Sequence, residues 1–363
     1  MTDFKAVFVA MLLLGVSCAV HAQQPGLVYE KRTEIIHGNI YTFFHDSSTH
    51  LFRETSDKTV DDKPYSYLWP LCALIQATNE LEVLDPAEHY MEPVIGAIDQ
   101  YYGTKPPCAA YEAYVVKAGG DDRFYDDNEW IAIAYMDAYN RKKEKRFLEK
   151  SEEIYRFVMS GYDTVAGGGL YWKEGDKTTK NTCSNGPGIL LALQLFRATG
   201  EKKYLDTALL LYNWTNSRLL SPEGIYYDAL KLPGLTVDKR AYTYNAGTML
   251  QSNVLLFSIT GNKQYLKEAK RLAEASLLYF YKQGRFPGNY WFNAVLMRGY
   301  VELYKFDKDK KYLQAFIDDT EKIWQSEMDP RNLAGQGHAK KLLDQAGLLE
   351  IIARIAWLKK EGF

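Results

Sequence analysis

Two adjacent aspartates, Asp126 and Asp127, stand between aromatic residues in the stretch Tyr125-Asp126-Asp127-Asn128-Glu129-Trp130, and an apolar run typical of a helix follows. Glycoside hydrolysis needs two carboxyl groups beside the scissile bond, about 5–5.5 Å apart in a retaining enzyme. Adjacent side chains on a helix point about 100° apart, since the helix has 3.6 residues per turn. Such a pair can place one carboxyl on each side of a glycosidic bond, one as nucleophile and one as acid/base.

A simpler interpretation of the pair is structural, because acidic residues at a helix start offset the positive end of the helix dipole. The chain has three further Asp-Asp pairs, Asp61-Asp62, Asp121-Asp122 and Asp318-Asp319. Only Asp126-Asp127 stands at the start of a predicted inner helix between two aromatic residues. This position, more than the dipeptide itself, favours a catalytic role.

The elements that must position the pair follow from an internal repeat. A helix ends, a polar turn follows, and an aromatic-Leu pair opens the next helix, as in Thr199-Gly200-Glu201-Lys202-Lys203-Tyr204-Leu205 and Thr260-Gly261-Asn262-Lys263-Gln264-Tyr265-Leu266. The glycines suit left-handed helix C-caps. No alternating strand run of any length competes. The repeat predicts about twelve helices, over residues 27–47, 66–81, 86–102, 127–140, 144–160, 185–199, 202–219, 243–260, 263–281, 289–305, 309–327 and 339–360.

The connections between these helices alternate between short and long, which indicates hairpins of an inner and an outer helix. With the first and last helices paired, six helical hairpins close an all-α (α/α)6 barrel; an open helical array would show the same local pattern. The long connections, about 103–125, 161–184 and 220–242, are expected on one face beside the starts of the inner helices. Functional residues often lie on such loops.

Aromatic and amide side chains dominate the predicted inner-helix starts, as expected for a surface that binds a neutral sugar polymer. Each asparagine among them is also a typical helix N-cap. The candidate substrate-binding residues are Tyr125, Asn128, Trp69, Trp172, Asn185, Tyr244, Asn245 and Trp291.

Composition agrees with a carbohydrate-binding protein and excludes some other classes. The 363 residues carry a net charge of −2, which argues against a nucleic-acid surface, and 47% hydrophobic residues suffice for a large core. The 28 tyrosines, 16 phenylalanines and 7 tryptophans suit stacking on sugars, although tyrosine is also a good core residue.

Residues 1–22 resemble an export signal, with Lys5 before an apolar run and small residues ahead of a cleavage site after Ala22. The alternative is a lipoprotein signal that attaches lipid at Cys18. We therefore expect a periplasmic or secreted protein, or an outer-membrane lipoprotein, with residues 23–363 as a single catalytic domain and a monomer. No other segment is long enough to span a bilayer.

Cysteine and histidine spacing predicts neither a metal site nor a disulfide framework. Processing would leave Cys72, Cys108 and Cys183, an odd number without C-x-x-C spacing. One disulfide is compatible with an oxidising compartment, but free thiols are favoured. No metal or other cofactor is expected.

These residues together resemble glycoside hydrolase family 76, the α-1,6-mannanases, of which we expect a bacterial member. The resemblance rests on Tyr125-Asp126-Asp127, on Gly167-Gly168-Gly169-Leu170-Tyr171-Trp172 and on Asn181-Thr182-Cys183-Ser184-Asn185-Gly186, and covers about residues 27–360. It implies an (α/α)6 barrel, a retaining and typically endo-acting enzyme on mannan or manno-oligosaccharides, no metal, Asp126 as nucleophile and Asp127 as acid/base. The sequence departs from the family pattern at Asn128-Glu129, where apolar or aromatic residues are expected.

Three alternatives remain open from the sequence. A glycan-binding protein on the same barrel would use the aspartates only to bind hydroxyl groups. Another hydrolase or a lyase would act on a different polysaccharide, although few basic residues stand on the predicted face to bind uronic acids. A terpene-cyclase-like protein would use Asp126-Asp127-Asn128-Glu129 to bind magnesium and a diphosphate, but the chain has no second acidic motif of that kind.

Overall fold

The computed structural model describes residues 25–363. The predicted export signal at residues 1–22 and its alternative lipid-attachment residue Cys18 lie outside the described residues. Within the described range the chain forms twelve α-helices, as predicted. Their bounds are α1 Pro25–Phe43, α2 Leu68–Leu84, α3 Met91–Ile98, α4 Tyr125–Lys142, α5 Lys145–Ser160, α6 Thr182–Thr199, α7 Lys202–Leu219, α8 Thr243–Thr260, α9 Lys263–Phe280, α10 Tyr290–Asp307, α11 Lys311–Ser326 and α12 Leu342–Lys360.

The even-numbered helices form a closed inner ring. Each packs on the next, from α2 through α4, α6, α8 and α10 to α12, and α12 packs back on α2. The odd-numbered helices lie outside, and α1 packs on α12, so the first and last helices pair as predicted. The architecture is therefore the expected (α/α)6 barrel, and the open array is excluded.

Burial differs between the two rings as their positions require. The inner helix α6 is buried without interruption from Thr182 to Leu195, because neighbours cover it on every side. The outer helix α5 buries only one stripe, which includes Phe147, Ile154 and Phe157. At the contact of α8 with α10, a Cβ on Gly247 would lie 2.6 Å from Cα of Leu296, so only glycine permits this approach.

Short strands, which the sequence did not predict, join the helices. Two of the sheets are pairs of two-residue strands, β1-β2 and β3-β4. The third is a three-stranded antiparallel sheet in the order β5-β6-β7. The strands are β1 His45–Asp46, β2 Leu51–Phe52, β3 Tyr102–Gly103, β4 Ala110–Tyr111, β5 Thr179–Asn181, β6 Tyr227–Lys231 and β7 Thr236–Ala241. The sheet thus ties the long α5–α6 connection to the long α7–α8 connection.

Two predicted helices end earlier than expected. The first stops at Phe43 rather than at residue 47, because β1 follows it directly. The predicted helix 86–102 is the shorter α3, followed by a 3-10 turn, Asp99–Tyr101. Of the helices in residues 25–363, none combines the length and apolar character needed to cross a membrane.

Candidate active site

The Asp-Asp pair lies in the first turn of α4. Phe124 is the N-cap residue, so Asp126 and Asp127 occupy the second and third positions of the helix. The backbone N–H of Asp127 donates to Oδ1 of Asp126 at 3.0 Å, and the indole Nε1 of Trp172 donates to Oδ2 at 3.1 Å. Both oxygens of Asp126 are thereby oriented, while the carboxyl of Asp127 is left to face the cavity that both residues line.

A glycine-rich loop holds Trp172 in place. Gly167, Gly168 and Gly169 all have positive φ, and a Cβ on Gly169 would lie 2.7 Å from the Trp214 ring. The buried Lys180 ammonium stabilises this loop, since it donates to the carbonyl oxygen of Gly168 at 2.7 Å and to the carboxylate of Asp163 at 2.7 Å. The motif therefore serves to aim the indole N–H at Asp126.

Burial separates the two carboxyl groups in pKa. For Asp126, burial raises the pKa to about 6, while hydrogen bonds from Cys183, Trp172 and the Asp127 backbone oppose the rise. For Asp127, burial raises the pKa further, and the negative charge of Asp126 adds to the effect. Of the two carboxyl groups, Asp126 therefore ionises more readily and Asp127 holds its proton more tightly.

Aromatic rings form the walls of the cavity, which has a volume of about 580 Å³. Trp291 meets Trp69 at 6.0 Å and Trp130 at 5.6 Å between ring centroids, and Tyr244 stacks on Phe292 at 4.0 Å. These rings come from the first turns of α2, α4, α8 and α10. A cavity of this size with aromatic walls and a few polar groups is typical of a small-ligand site.

Six of the predicted site residues meet in this cavity, namely Asp126, Asp127, Trp69, Trp172, Tyr244 and Trp291. The start of α12, which was expected to contribute, supplies no lining residue among those described.

The structure does not bring the other four predicted residues into the cavity. Tyr125 packs instead on Phe157 in a small separate cluster. Asn128 and Asn185 are buried, and their side-chain amides form hydrogen bonds with the backbone of the preceding loops. Asn245 is buried in α8, and within the described chain neither atom of its amide has a hydrogen-bond partner.

Asn128 and Asn185 act as equivalent clamps on α4 and α6. Asn128 accepts from the backbone N–H of Tyr111 at 2.8 Å and donates to its carbonyl oxygen at 3.0 Å. Asn185 makes the same two bonds to Leu170, at 2.8 and 3.0 Å. Both stand four residues after the N-cap residue, where the side chain turns back onto the preceding loop, so they position the cavity walls.

Sequence reasoning missed the polar residues that the sheet contributes to the cavity, Asn181, Asp228 and Arg240. A signal was available in Pro233-Gly234, a turn dipeptide that separates Ile225-Tyr226-Tyr227 from Thr236-Val237. That pattern is typical of a hairpin in the long connection before the fourth inner helix.

Two free thiols also lie beside the pair. Cys72 donates through Sγ to the carbonyl oxygen of Asp127 at 3.3 Å, and Cys183 lines the cavity. Cys108 is a free thiol as well, as the sequence favoured for these cysteines. Among residues 25–363, no group of three His, Cys, Asp or Glu side chains is arranged to hold a metal ion.

Comparison with known proteins decides the family. Residues 28–288, more than half of the chain, match the family model described as glycosyl hydrolase family 76. The chain belongs to glycosyl hydrolase family 76. The resemblance seen in the Asp-Asp, triple-glycine and Asn-Thr-Cys-Ser-Asn-Gly motifs is therefore confirmed.

The curated relatives of this family 76 chain are fungal. It is 30% identical over 171 residues to the mannan endo-1,6-alpha-mannosidase of Candida glabrata, which covers 43% of this chain and 38% of the relative. The protein of the same name from Saccharomyces cerevisiae is 28% identical over 196 residues, 47% of this chain and 44% of the relative. The chain thus spans about two fifths of the length of these relatives.

Solved family 76 structures match over nearly the whole chain. A family 76 glycoside hydrolase (mannosidase) from Bacteroides thetaiotaomicron has a TM-score of 0.84 at 26% identity, covering 93% of this chain and 100% of that chain. An inactive variant of the α-1,6-mannanase of a Salegentibacter species, in complex with α-1,6-mannotriose, has a TM-score of 0.79 at 20% identity, with 91% and 99% coverage. The latter similarity concerns the fold alone.

Proposed function

We propose that this family 76 chain is a retaining glycoside hydrolase that cleaves α-1,6-mannosidic linkages within mannan. The observation that carries the proposal is the Asp126-Asp127 pair in the first turn of α4, with Asp126 bonded to Trp172 and both carboxyl groups lining an aromatic cavity. The names of the yeast relatives support α-1,6-mannan as substrate.

In this proposal the chemistry proceeds in two displacements. The carboxylate of Asp126 attacks the anomeric carbon while Asp127 gives its proton to the departing glycosidic oxygen, which leaves a mannosyl ester on Asp126. Asp127, now ionised, takes a proton from a water molecule, whose oxygen attacks the anomeric carbon and releases Asp126. Two inversions restore the original configuration, and Asp127 ends protonated as it began.

The aspartates have distinct roles because their surroundings differ. Trp172 and the Asp127 N–H stabilise negative charge on Asp126, which suits a nucleophile that must stay ionised. Asp127 is left with burial and a charged neighbour, which suits a group that must hold a proton. The rings of Trp69, Trp291 and Tyr244 are proposed to stack on the apolar faces of mannosyl units.

The proposal includes residues 23–363 as the catalytic domain and residues 1–22 as the export signal. An exported enzyme would meet polymeric mannan outside the cytoplasm, whether free or attached by lipid at Cys18.

Product analysis on debranched α-1,6-mannan tests the reaction, because it reports the sugar, the linkage and the mode of attack together. We expect wild-type protein to release a mixture of oligosaccharides early, and Asp126→Asn to lose at least about 10³-fold in rate while keeping its fold. Asp318→Asn is the matched control, since Asp318 also belongs to an Asp-Asp pair but its own side chain is exposed on α11.

Two outcomes would contradict the proposal. Turnover retained in Asp126→Asn would exclude that residue as the nucleophile. Binding of mannan without release of any oligosaccharide by wild-type protein would favour the glycan-binding alternative. Labelling with a mechanism-based mannoside, followed by mapping of the modified residue, distinguishes Asp126 from Asp127.

A further inference from the structure

Asp228 lies opposite a β-bulge. Tyr227 of β6 pairs with Ala241 and Ala229 pairs with Asp238, so the single residue Asp228 faces two residues of β7, Lys239 and Arg240. Bulges re-aim side chains and are common next to active sites. Asp228 is only 7% exposed, yet it lines the same cavity as Asp126. The cavity therefore contains a third carboxyl group besides those of Asp126 and Asp127.

Two neighbours hold this carboxyl group. Nη2 of Arg240 donates to Oδ2 of Asp228 at 3.0 Å, and Arg240 is itself fixed by Asp238, with Nε 3.0 Å from Oδ1. The side chain of Asn181 also lies beside Asp228, because Asn181 on β5 faces Ala229 on β6 across the sheet. The carboxyl group is thus held in one orientation.

One acceptor in this group lacks a donor. Asn181 is 8% exposed and lines the cavity, and its Oδ1 has no hydrogen-bond partner within residues 25–363. A buried acceptor without a partner is unfavourable, so a ligand that supplies a donor is favoured there. Asp228 and Asn181 together offer oxygen acceptors in the cavity that Asp126 also lines.

We propose that Asp228 and Asn181 accept hydrogen bonds from free ring hydroxyl groups of a mannosyl unit beside Asp126, and that this contact selects unbranched stretches of the substrate. The inference rests on the proposed function. An α-1,6-linked mannosyl unit has free hydroxyls at O2, O3 and O4, and a substituent on a hydroxyl that meets the sheet would remove the donor and collide with fixed backbone. Arg240 is a positioning residue, since it acts through Asp228.

Kinetics on a linear α-1,6-mannotetraose and on the same chain with one mannosyl branch at O2 test the selection. We expect wild-type protein to prefer the linear substrate. Asp228→Ala should lower kcat/KM for the linear substrate by about 10- to 100-fold, as for loss of a hydrogen bond to a charged group. The ratio of linear to branched kcat/KM should fall with it. Arg240→Gln should have a smaller effect of the same kind, partly restored in Arg240→Lys.

Lys239→Ala is the matched control, because Lys239 is exposed on β7 between Asp238 and Arg240 and does not line the cavity. Thermal unfolding of each variant separates loss of the subsite from loss of the fold. Calorimetric binding of linear mannotriose to an Asp126→Asn/Asp127→Asn protein, with and without Asp228→Ala, gives a second readout that does not depend on turnover. In this experiment the dissociation constant of mannotriose should be about tenfold higher when Asp228→Ala is present.

The outcomes separate the two levels of the argument. If wild-type protein cleaves linear mannan but Asp228→Ala stays within about threefold on both substrates, the subsite is wrong and the proposed function stands. If wild-type protein neither cleaves nor binds any manno-oligosaccharide, the proposed function is wrong and the subsite is overturned with it.

Discussion

Two clusters of buried carboxyl groups lie inside the same inner ring, and they differ in whether arginine accompanies them. The upper cluster is Asp126, Asp127 and Glu129 in the first turns of α4, and within residues 25–363 none of the three forms a salt bridge. The lower cluster begins at Asp137, about 16 Å further along the same helix. It joins Glu80 of α2 and Glu350 of α12.

Two arginines connect the carboxyl groups of Glu350 and Glu80 in the lower cluster. Arg298 of α10 bonds Glu350 through Nε at 2.6 Å. Arg354 donates to Glu350 at 3.1 Å and also to Glu80 at 2.8 Å. It thus bridges α12 and α2, the two helices that close the ring. The side chains of Gln76 and Gln194 donate to Asp137 at 3.1 and 2.8 Å. The lower cluster therefore links α2, α4, α6, α10 and α12.

Burial has opposite consequences for Glu350 and Glu129. Burial by itself would raise the pKa of Glu350, but Arg298 and Arg354 hold it below its usual range. Burial raises the pKa of Glu129 well above its usual range, and Asp126 adds to the rise. Asp137 accepts only from amides, and burial raises its pKa to about 6 although Arg354 and Arg298 lie near it. A guanidinium bonded directly to the carboxyl group is therefore what keeps Glu350 an anion.

Removal of a lower arginine should have the largest effect on stability. Arg298→Met leaves Glu350 with one guanidinium fewer in a buried site, which is expected to lower the free energy of unfolding by about 3–5 kcal/mol. The folded fraction should keep its activity, since Arg298 does not line the cavity. Chemical denaturation measures the loss. Lys305→Met on the same helix, which breaks only an exposed pair with Glu302, should cost under about 1 kcal/mol; equal losses in both variants would contradict the comparison.

The sequence was sufficient for the helices and for much of the site because both follow from local patterns. Gly200 and Gly261 adopt the left-handed C-cap conformation that the repeat implied. Asp126 and Asp127 were found because a helix start on the loop face is a recognisable position. The departure from the family pattern at Asn128-Glu129 stays a prediction; in the structure Glu129 occupies a buried position against Gly188 of α6.

The sheet and the lower cluster depend on contacts between distant residues. Strands β5 and β6 are three and five residues long, and the bulge in β7 opposite Asp228 breaks the alternation by which strands are recognised. Arg298 and Glu350 are 52 residues apart, and nothing local shows that they will meet. The asparagines misled for a related reason, because only the packed loops reveal that Asn128 and Asn185 point away from the cavity.

Replacement of Glu129 in the upper cluster by the neutral Gln should become less destabilising, and then stabilising, as pH rises. Because the pKa of Glu129 is raised in the folded state, folding retains a proton that the unfolded chain releases above about pH 4.3. Wild-type stability from this group is full below that pH and is lost as pH rises toward the folded pKa. The free energy of unfolding of Glu129→Gln relative to wild type should therefore improve by up to about 1.4 kcal/mol per pH unit above it.

Glu350→Gln is the opposite-signed control for that measurement. Its depressed pKa contributes stability above the unfolded value and loses it as pH falls through the folded value. Relative to wild type, this variant should be weakest near neutral pH and recover in acid. Parallel pH dependences in the Glu129 and Glu350 variants would show that arginine does not set the difference between the clusters.

The smallest expected effect is a change in the pKa of Asp126 when its indole hydrogen-bond donor, Trp172, is removed. Trp172→Phe removes the Nε1–H that stabilises the carboxylate, so the pKa of Asp126 should rise above about 6. The acid limb of the kcat/KM profile, which reports the free enzyme, should then move to higher pH by about half to one unit. Trp69→Phe shrinks another ring of the same cavity without a hydrogen bond to Asp126 among the described contacts, and should leave that limb in place. An unmoved limb in Trp172→Phe would mean that water replaces the indole donor, and that the triple-glycine loop matters for binding sugar rather than for keeping Asp126 ionised.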